Sequence, residues 1–158
     1  MKKAIFFMCA FAMLTFTVIN CNTGVSPDNG EGKLFNTKWK LVGFYDGEKN
    51  EFREVGAEDC DGCYTLEFGP DSMVTEFGEK YWQCRGKLYS IGFVGLYTVD
   101  HTRLTINFHD LIKLGMEQPS PTSYYVSALY EARSFELSDS ELKLFGINGN
   151  YIVLRRMI

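Results

Sequence analysis

Two cysteines in a short polar segment, Cys60 and Cys63, form a C-x-x-C motif, the spacing that thiol-disulfide exchange uses. Enzymes of that kind place the first cysteine at the N-terminus of a helix, where the thiolate is stabilised. Here the motif "CDGC" runs directly into residues 64–68, whose alternating pattern is typical of a strand. Because the motif lacks its usual structural context, we interpret the two cysteines as a structural disulfide or as unreactive thiols.

A third cysteine, Cys84, gives the predicted domain an odd number of thiols. Export of the chain would permit disulfides, and one thiol stays free unless it pairs between chains. Cys60 could bridge to Cys63, or either could bridge to Cys84 and close a loop of about 20 residues, contributing roughly 3 kcal/mol in the chain-entropy model. The sequence leaves this pairing open.

The metal alternative is a zinc site that combines Cys60, Cys63 and Cys84 with either His101 or His109. Closed zinc sites usually present two short pairs of ligands. The two histidines are instead separated by more than a helical turn, and each falls singly in a predicted hairpin. We therefore predict no metal site and expect both histidines to face solvent from strands.

Acidic residues cluster in the polar segment before the C-x-x-C motif and within it. They are Glu51, Glu54, Glu58, Asp59 and Asp61. Acids clustered in a loop are usually solvated, and their spacing matches no EF-hand calcium loop. Since no nucleophile, base and orienting residue form a recognisable trio, we predict neither an enzymatic activity nor a cofactor.

The N-terminus reads as a secretory signal over residues 1–20, with Lys2 and Lys3 followed by an uncharged apolar run. That run is shorter than a membrane-spanning helix requires and no basic stop-transfer cluster follows it. Its end is similar to a bacterial lipobox, in which Val18 is the aliphatic residue three positions before the lipidated Cys21. Asn20 stands where Gly, Ala or Ser is usual. An ordinary cleaved signal with Cys21 as a stray thiol is the alternative.

Residues 21–35 predict a flexible tether, because they are rich in Gly, Pro, Asp and Asn. As a coil this segment spans on the order of 20 Å, which would hold a domain at residues 36–158 clear of a bilayer. The chain has 20 acidic and 16 basic residues, and two of the basic ones belong to the predicted signal. A negative domain without a basic cluster excludes nucleic acid as a partner.

The first half of the domain alternates as strands do. Residues 36–46 predict a strand, and residues 48–62 a polar loop. Residues 64–68 predict one arm of a hairpin, whose turn is Gly69-Pro70-Asp71-Ser72 and whose return strand starts at Met73. Beyond it, three glycines interrupt apolar residues and indicate bulges or corners of a curved sheet. They are Gly86, Gly92 and Gly95.

The second half predicts a hairpin over "VGLYTVD" and "LTINFHD", then one short helix, then three strands. The helix is indicated by Tyr125, Ala128, Leu129 and Ala132, which fall on one side at helical spacing. The last three strands are expected at residues 134–137, 141–145 and 150–155, the last two joined by an Asn148-Gly149 turn.

Seven or eight strands with one helix, and no alternation of strand and helix, predict a mainly β fold. We expect a small curved antiparallel barrel or wrapped sheet.

Several segments resemble the META domain, the HslJ-like family, in its Gram-negative lipoprotein form. They are "WKLVGF", "YTLEF", "GLYTVD", "LTINF", "YYVSALYEARSFELSDSELKLF" and "NYIVLRR". The resemblance implies a non-catalytic envelope protein with a binding or envelope-stress role. We accordingly expect a monomer in the cell envelope, anchored to the inner or outer membrane by a lipid on Cys21. Its abundant aromatic residues leave open a lipocalin-like carrier of a small apolar ligand.

Overall fold

The computed structural model describes residues 34–55, 60, 62–116 and 122–158. Within them, nine strands form one antiparallel sheet that closes into a ring, and a single helix lies between the sixth and seventh strands. The elements are β1 Thr37–Asp46, β2 Glu51–Glu54, β3 Thr65–Val74, β4 Lys80–Lys87, β5 Gly92–Asp100, β6 Thr105–Lys113, α1 Thr122–Glu131, β7 Ser134–Leu137, β8 Glu141–Phe145 and β9 Tyr151–Met157. The predicted mainly β, antiparallel fold is confirmed.

The ring closes where the first and last strands pair. On one side β1 pairs with β9 from Lys38 to Tyr45, and on the other side its first residues pair with β3. Strand β2 pairs with the last residues of β1, beyond the point where β3 diverges. Strands β6 and β7 share a single register pair, Thr105 with Ser134, so the ring is not a regular barrel.

Large side chains fill the interior of the ring. The bulkiest of those with almost no exposed surface are Trp39, Tyr97, Tyr125, Phe68 and Phe93. On β1, the buried Trp39 and Leu41 alternate with Lys38 and Lys40, because successive strand residues point to opposite faces. Helix α1 contributes Tyr125, Val126 and Leu129 to the same core, in agreement with the predicted apolar face.

The connections between strands alternate between two ends of the ring, since neighbouring strands are antiparallel. We name as the proximal end the one formed by residues 34–36, 75–79, 101–104, 138–140 and 157–158. The distal end carries helix α1 and residues 47–50, 88–91 and 146–150. The domain therefore begins and finishes at the proximal end.

The predicted turn at Gly69-Pro70-Asp71-Ser72 is wrong. These residues lie inside β3, which continues to Val74, and the register against β4 shifts between Phe68 and Ser72. Proline has no N–H to donate to the ladder, and such residues are accommodated where a bulge leaves them unpaired. The turn of this hairpin lies at residues 75–79, so Met73 belongs to the outgoing strand and not to the return strand.

The polar segment predicted as a loop contains strand β2, which raises the number of strands to nine. All four β2 residues are exposed. Their backbone nonetheless pairs with β1, and the Phe52 ring lies against Gly43, where a β-carbon would come within 2.5 Å of it. Strand β2 is therefore held by a contact with its neighbour and not by burial of its own side chains.

The packed domain begins two residues before the predicted boundary. Leu34 and Phe35 were assigned to the tether, yet Leu34 is completely buried and Phe35 packs on Trp82 with ring centroids 4.2 Å apart. The Thr37 hydroxyl donates a hydrogen bond to the Leu34 carbonyl, and Trp39 Nε1 donates to Thr37 Oγ1 at 2.8 Å. The predicted signal and the rest of the tether lie outside the described residues.

Candidate functional site

A groove of about 840 Å³ opens at the distal end, between α1, β2 and the turn that joins β8 to β9. Six aromatic side chains line it: Phe44, Tyr45, Tyr64, Tyr89, Tyr124 and Tyr151. Its floor reaches Leu144, a buried residue of the core. Ligand sites in proteins are typically concave and aromatic-lined with a few polar groups, which makes this groove the candidate site.

Ring stacking and turn hydrogen bonds hold one wall of the groove in place. Tyr45 and Tyr151 stack with their centroids 4.6 Å apart and their planes at 17°. The Tyr45 hydroxyl donates a hydrogen bond to Asn50 Oδ1. The Gly47 amide donates to Asn150 Oδ1 at 2.9 Å, joining the β1–β2 turn to the β8–β9 turn. These contacts fix the two turns relative to each other along this wall.

The opposite wall is open to solvent. Tyr124, on the first turns of α1, is 71 % exposed, and Tyr89, in the β4–β5 connection, is 60 % exposed. Large aromatic side chains with this much free surface are available for contact with a partner molecule.

Charged residues at the groove fall into two groups. Asp46 is engaged with both groove cations: Lys49 Nζ lies 2.9 Å and Arg53 Nη2 3.8 Å from its carboxylate. The hydrogen bond from Lys49 lowers the pKa of the Asp46 carboxyl. Glu54 and Glu131 make no ion pair with any residue that the structure describes. The groove lining therefore carries three carboxylates against two cations, a net charge of −1.

The structure separates the three cysteines whose pairing the sequence leaves open into a disulfide and a free thiol. Cys60 and Cys63 form a disulfide, with their α-carbons 5.3 Å apart, and Cys63 Sγ lies 3.2 Å from the Tyr89 carbonyl oxygen. Cys84 is a free thiol in the core. The disulfide closes the short loop before β3, and Cys63 Sγ contacts the β4–β5 connection beside the groove.

The two histidines lie apart from these cysteines. His101, in the β5–β6 turn, has its ring 5.6 Å from that of Phe135. His109 Nε2 lies 3.3 Å from the Thr98 hydroxyl, and the Tyr81 ring meets the imidazole edge-on at 5.1 Å. A hydroxyl beside an imidazole is two of the three groups that a nucleophilic catalytic triad needs. The third group, a carboxylate hydrogen-bonded to the imidazole, is not found at His109 among the described residues.

The acidic cluster predicted around the C-x-x-C motif is only partly described. Glu51 and Glu54 project from β2 into solvent, whereas Glu58, Asp59 and Asp61 lie outside the described residues. Over residues 34–55, 60, 62–116 and 122–158, no three His, Cys, Asp or Glu side chains are close enough to hold a metal ion.

The predicted lipid attachment residue, Cys21, also lies outside the described residues. None of the helices in the described part of the chain has the length and hydropathy of a membrane span.

Comparison with known proteins finds matches only among solved structures. No protein-family model and no curated protein matches the chain. An NMR structure of a protein from Burkholderia xenovorans superposes with a TM-score of 0.60 at 18 % identity, covering 82 % of this chain and 87 % of that one.

A crystal structure of a DUF4847 family protein from Bacteroides vulgatus ATCC 8482 gives a TM-score of 0.51 at 16 % identity, covering 80 % of this chain and 96 % of that one. At these identities the two structures are similar to this chain in fold alone.

Proposed function

We propose that this chain is a lipid-anchored binding protein of the cell envelope, with a META-like domain whose distal groove holds a small ligand. The observation that carries the binding role is the groove itself, lined by six aromatic residues of which Tyr45 and Tyr151 stack on each other. The anchor is supported by the uncharged apolar run that ends at Val18 and Cys21.

The chemistry of the groove favours a ligand with a flat apolar face and a positive charge. Aromatic faces attract cations through the negative face of the ring and stack on flat apolar groups. Glu54 and Glu131 give the lining a net charge of −1, because its other charged residues are Asp46, Lys49 and Arg53. An alkylamine that carries an aromatic ring combines both features.

A lipocalin-like carrier of a neutral apolar ligand is the second candidate. In a lipocalin the ligand occupies the interior of the barrel. Here Trp39, Phe68 and Tyr97, each without exposed surface, occupy that interior. An apolar ligand would therefore also have to use the distal groove. The carboxylates there should favour a positively charged ligand over a neutral one, and this preference separates the two candidates.

The anchor is tested by metabolic labelling with a palmitate analogue. We expect label on the full chain and none on Cys21→Ala. The control Cys84→Ala should keep its label, because Cys84 is buried in the core and is not the residue that carries the lipid. An unlabelled wild type, or label that survives Cys21→Ala, would overturn the anchor.

The ligand class is tested by NMR titration of the domain with benzylamine and with benzyl alcohol, which differ in charge and not in ring. We expect shifts at Tyr124 and Tyr151, and a preference for the amine of about two- to fivefold, the size of an exposed ion pair. Glu131→Gln should reduce that preference, and the control Glu136→Gln, at the exposed position of β7, should not. Equal binding of both probes would favour the apolar carrier, and shifts elsewhere would refute the site.

A further inference from the structure

The hairpin of β3 and β4 carries three exposed apolar side chains at the proximal end. We name residues 73–79 the hairpin tip. Phe77 is 84 % exposed, Val74 65 % and Met73 47 %. The turn itself is well formed: the Gly78 amide donates to the Thr75 carbonyl and the Thr75 amide to the Glu79 carbonyl, both at 2.9 Å. Backbone hydrogen bonds therefore hold Phe77 at the apex.

The tip projects beyond the first residue of β1. Thr37, the first residue of β1, pairs with Phe68, and β3 continues past that level to Val74. The register of β4 follows it, with Val74 opposite Lys80. This arm has no neighbouring strand on its β1 side, since β1 begins at Thr37.

The first described residues run along this same arm. Phe35 contacts Trp82, which lies opposite Ser72 in the hairpin. The chain between Cys21 and Leu34 can extend to about 45 Å at most, from the reach of an extended backbone. A lipid on Cys21 would therefore keep the proximal end, and the tip with it, within a short distance of the bilayer.

We propose that the hairpin tip docks on the bilayer that holds the lipid, with Phe77 in the boundary between headgroups and acyl chains. This inference rests on the proposed lipid anchor. An aromatic and two aliphatic side chains at the apex of a turn are suited to that boundary. Docking adds a second contact to an acyl anchor and so fixes the orientation of the domain.

The charges around the tip favour zwitterionic headgroups. The charged residues here are Glu76, Glu79 and one cation, Lys80, whose Nζ lies 3.9 Å from the centroid of the Trp82 ring. Tyr81 donates a hydrogen bond to Glu79 at 2.9 Å. This balance offers no excess of positive charge to anionic lipid.

The docked orientation places the groove on the side away from the membrane. The proximal and distal ends lie at opposite ends of the strands, so Tyr124 and Tyr151 would face the aqueous compartment when Phe77 meets the bilayer. A ligand would then reach the groove without crossing the headgroup layer.

The test uses the lipidated full chain in vesicles of phosphatidylcholine and phosphatidylethanolamine, some with brominated acyl chains that quench indole fluorescence. Phe77→Trp places the reporter at the tip, and the matched control Tyr124→Trp places an exposed indole at the distal end. We expect a blue shift and quenching of the added fluorescence for Phe77→Trp and neither for Tyr124→Trp. A second variant, Phe77→Asp, should remain bound to vesicles but lose protection of the hairpin amides from hydrogen exchange.

The outcomes separate docking from anchoring. If the protein floats with the vesicles and carries acyl chains on Cys21, while Phe77→Trp is quenched no more than Tyr124→Trp, docking is refuted and the anchor stands. If Cys21 carries no acyl chain and the protein does not float with the vesicles, the anchor is refuted and the docking falls with it.

Discussion

Cys84 and Tyr125 are two ionisable side chains enclosed in the apolar core. Burial raises the pKa of the Cys84 thiol from its ordinary value of 9.0 to about 12. Burial, followed by the charge of Cys84, raises the pKa of the Tyr125 phenol well above its usual value, and its hydroxyl has no hydrogen-bond partner among the described residues. Both groups are therefore neutral in the folded protein well into the alkaline range.

The raised pKa of Cys84 predicts a loss of stability in alkali. Above about pH 9 the thiol of the unfolded protein loses its proton, whereas the thiol of the folded protein keeps it until the pH reaches its raised pKa of about 12. The free energy of unfolding therefore falls as the pH rises from about 9 to about 12. The slope per proton approaches about 1.4 kcal/mol per pH unit. Denaturant titrations at successive pH values measure it.

The control for this prediction is Cys84→Ala, which lacks the thiol. It should lose stability less steeply between pH 9 and pH 10, although Tyr125 keeps some dependence at higher pH. In wild type, Cys84 should also resist iodoacetamide until the protein is unfolded, because a buried neutral thiol is a poor nucleophile. Identical slopes for both proteins would contradict the assignment.

At the scale of elements, β3, β4 and β5 approach each other most closely at Gly86. Leu66 and Phe93 lie opposite this residue on the two neighbouring strands. A β-carbon at Gly86 would come within 2.2 Å of the Thr65 carbonyl oxygen and 2.3 Å of the Phe93 ring. Since one of these atoms is backbone, a side chain would push the strands apart.

Gly86→Ala is therefore expected to lower the free energy of unfolding by about 1–3 kcal/mol, the usual cost of overpacking. Gly92→Ala is the matched control on the neighbouring strand, because its nearest contact, the Gly86 carbonyl oxygen, would be 3.4 Å away. Chemical denaturation of both variants measures the difference. Equal destabilisation would show that the close approach at Gly86 does not limit packing.

The elements that the sequence predicted correctly have strong local signals. Strands β7 and β8 are found with the predicted bounds, and the turn before β9 has positive φ at Asn148 and Gly149, as its Asn-Gly pair requires. The apolar side of α1 followed from helical spacing. In these segments the local pattern and the tertiary structure favour the same conformation.

The elements that it missed depend on a partner elsewhere in the chain. Gly69 and Pro70 are typical turn residues, but β4 continues alongside them and keeps β3 extended. Strand β2 has no alternating pattern and forms because β1 offers a free edge. The groove was missed for the same reason, since its six aromatic residues come from segments between Phe44 and Tyr151 that only the closed ring brings together.

At the scale of the whole molecule, the ring depends on packing at its first residues. Leu34 is completely buried beside β1, although composition places it in the tether. Removing most of a buried leucine side chain usually costs about 2–5 kcal/mol. Leu34→Ala should therefore lower the midpoint of thermal unfolding clearly.

The control is the same substitution at an exposed site. Leu104, in the β5–β6 turn, is 48 % exposed, so Leu104→Ala should change stability by only about 0.5 kcal/mol, as is usual for surface positions. Thermal and denaturant unfolding of the two variants compare them directly. An equally small loss of stability in both variants would mean that the packed domain begins at β1 and does not need Leu34.

The pairing of β1 with β9 also determines when this protein can finish folding. Lys38 lies opposite Met157, so the contact that closes the ring joins residues from the two extremities of the domain. Contacts of such long sequence separation form slowly, because the intervening chain must be ordered first. A chain that crosses a membrane N-terminus first would therefore expose one edge of its first strand until its last strand emerges, and chaperones that bind unpaired strand edges would have that interval in which to act.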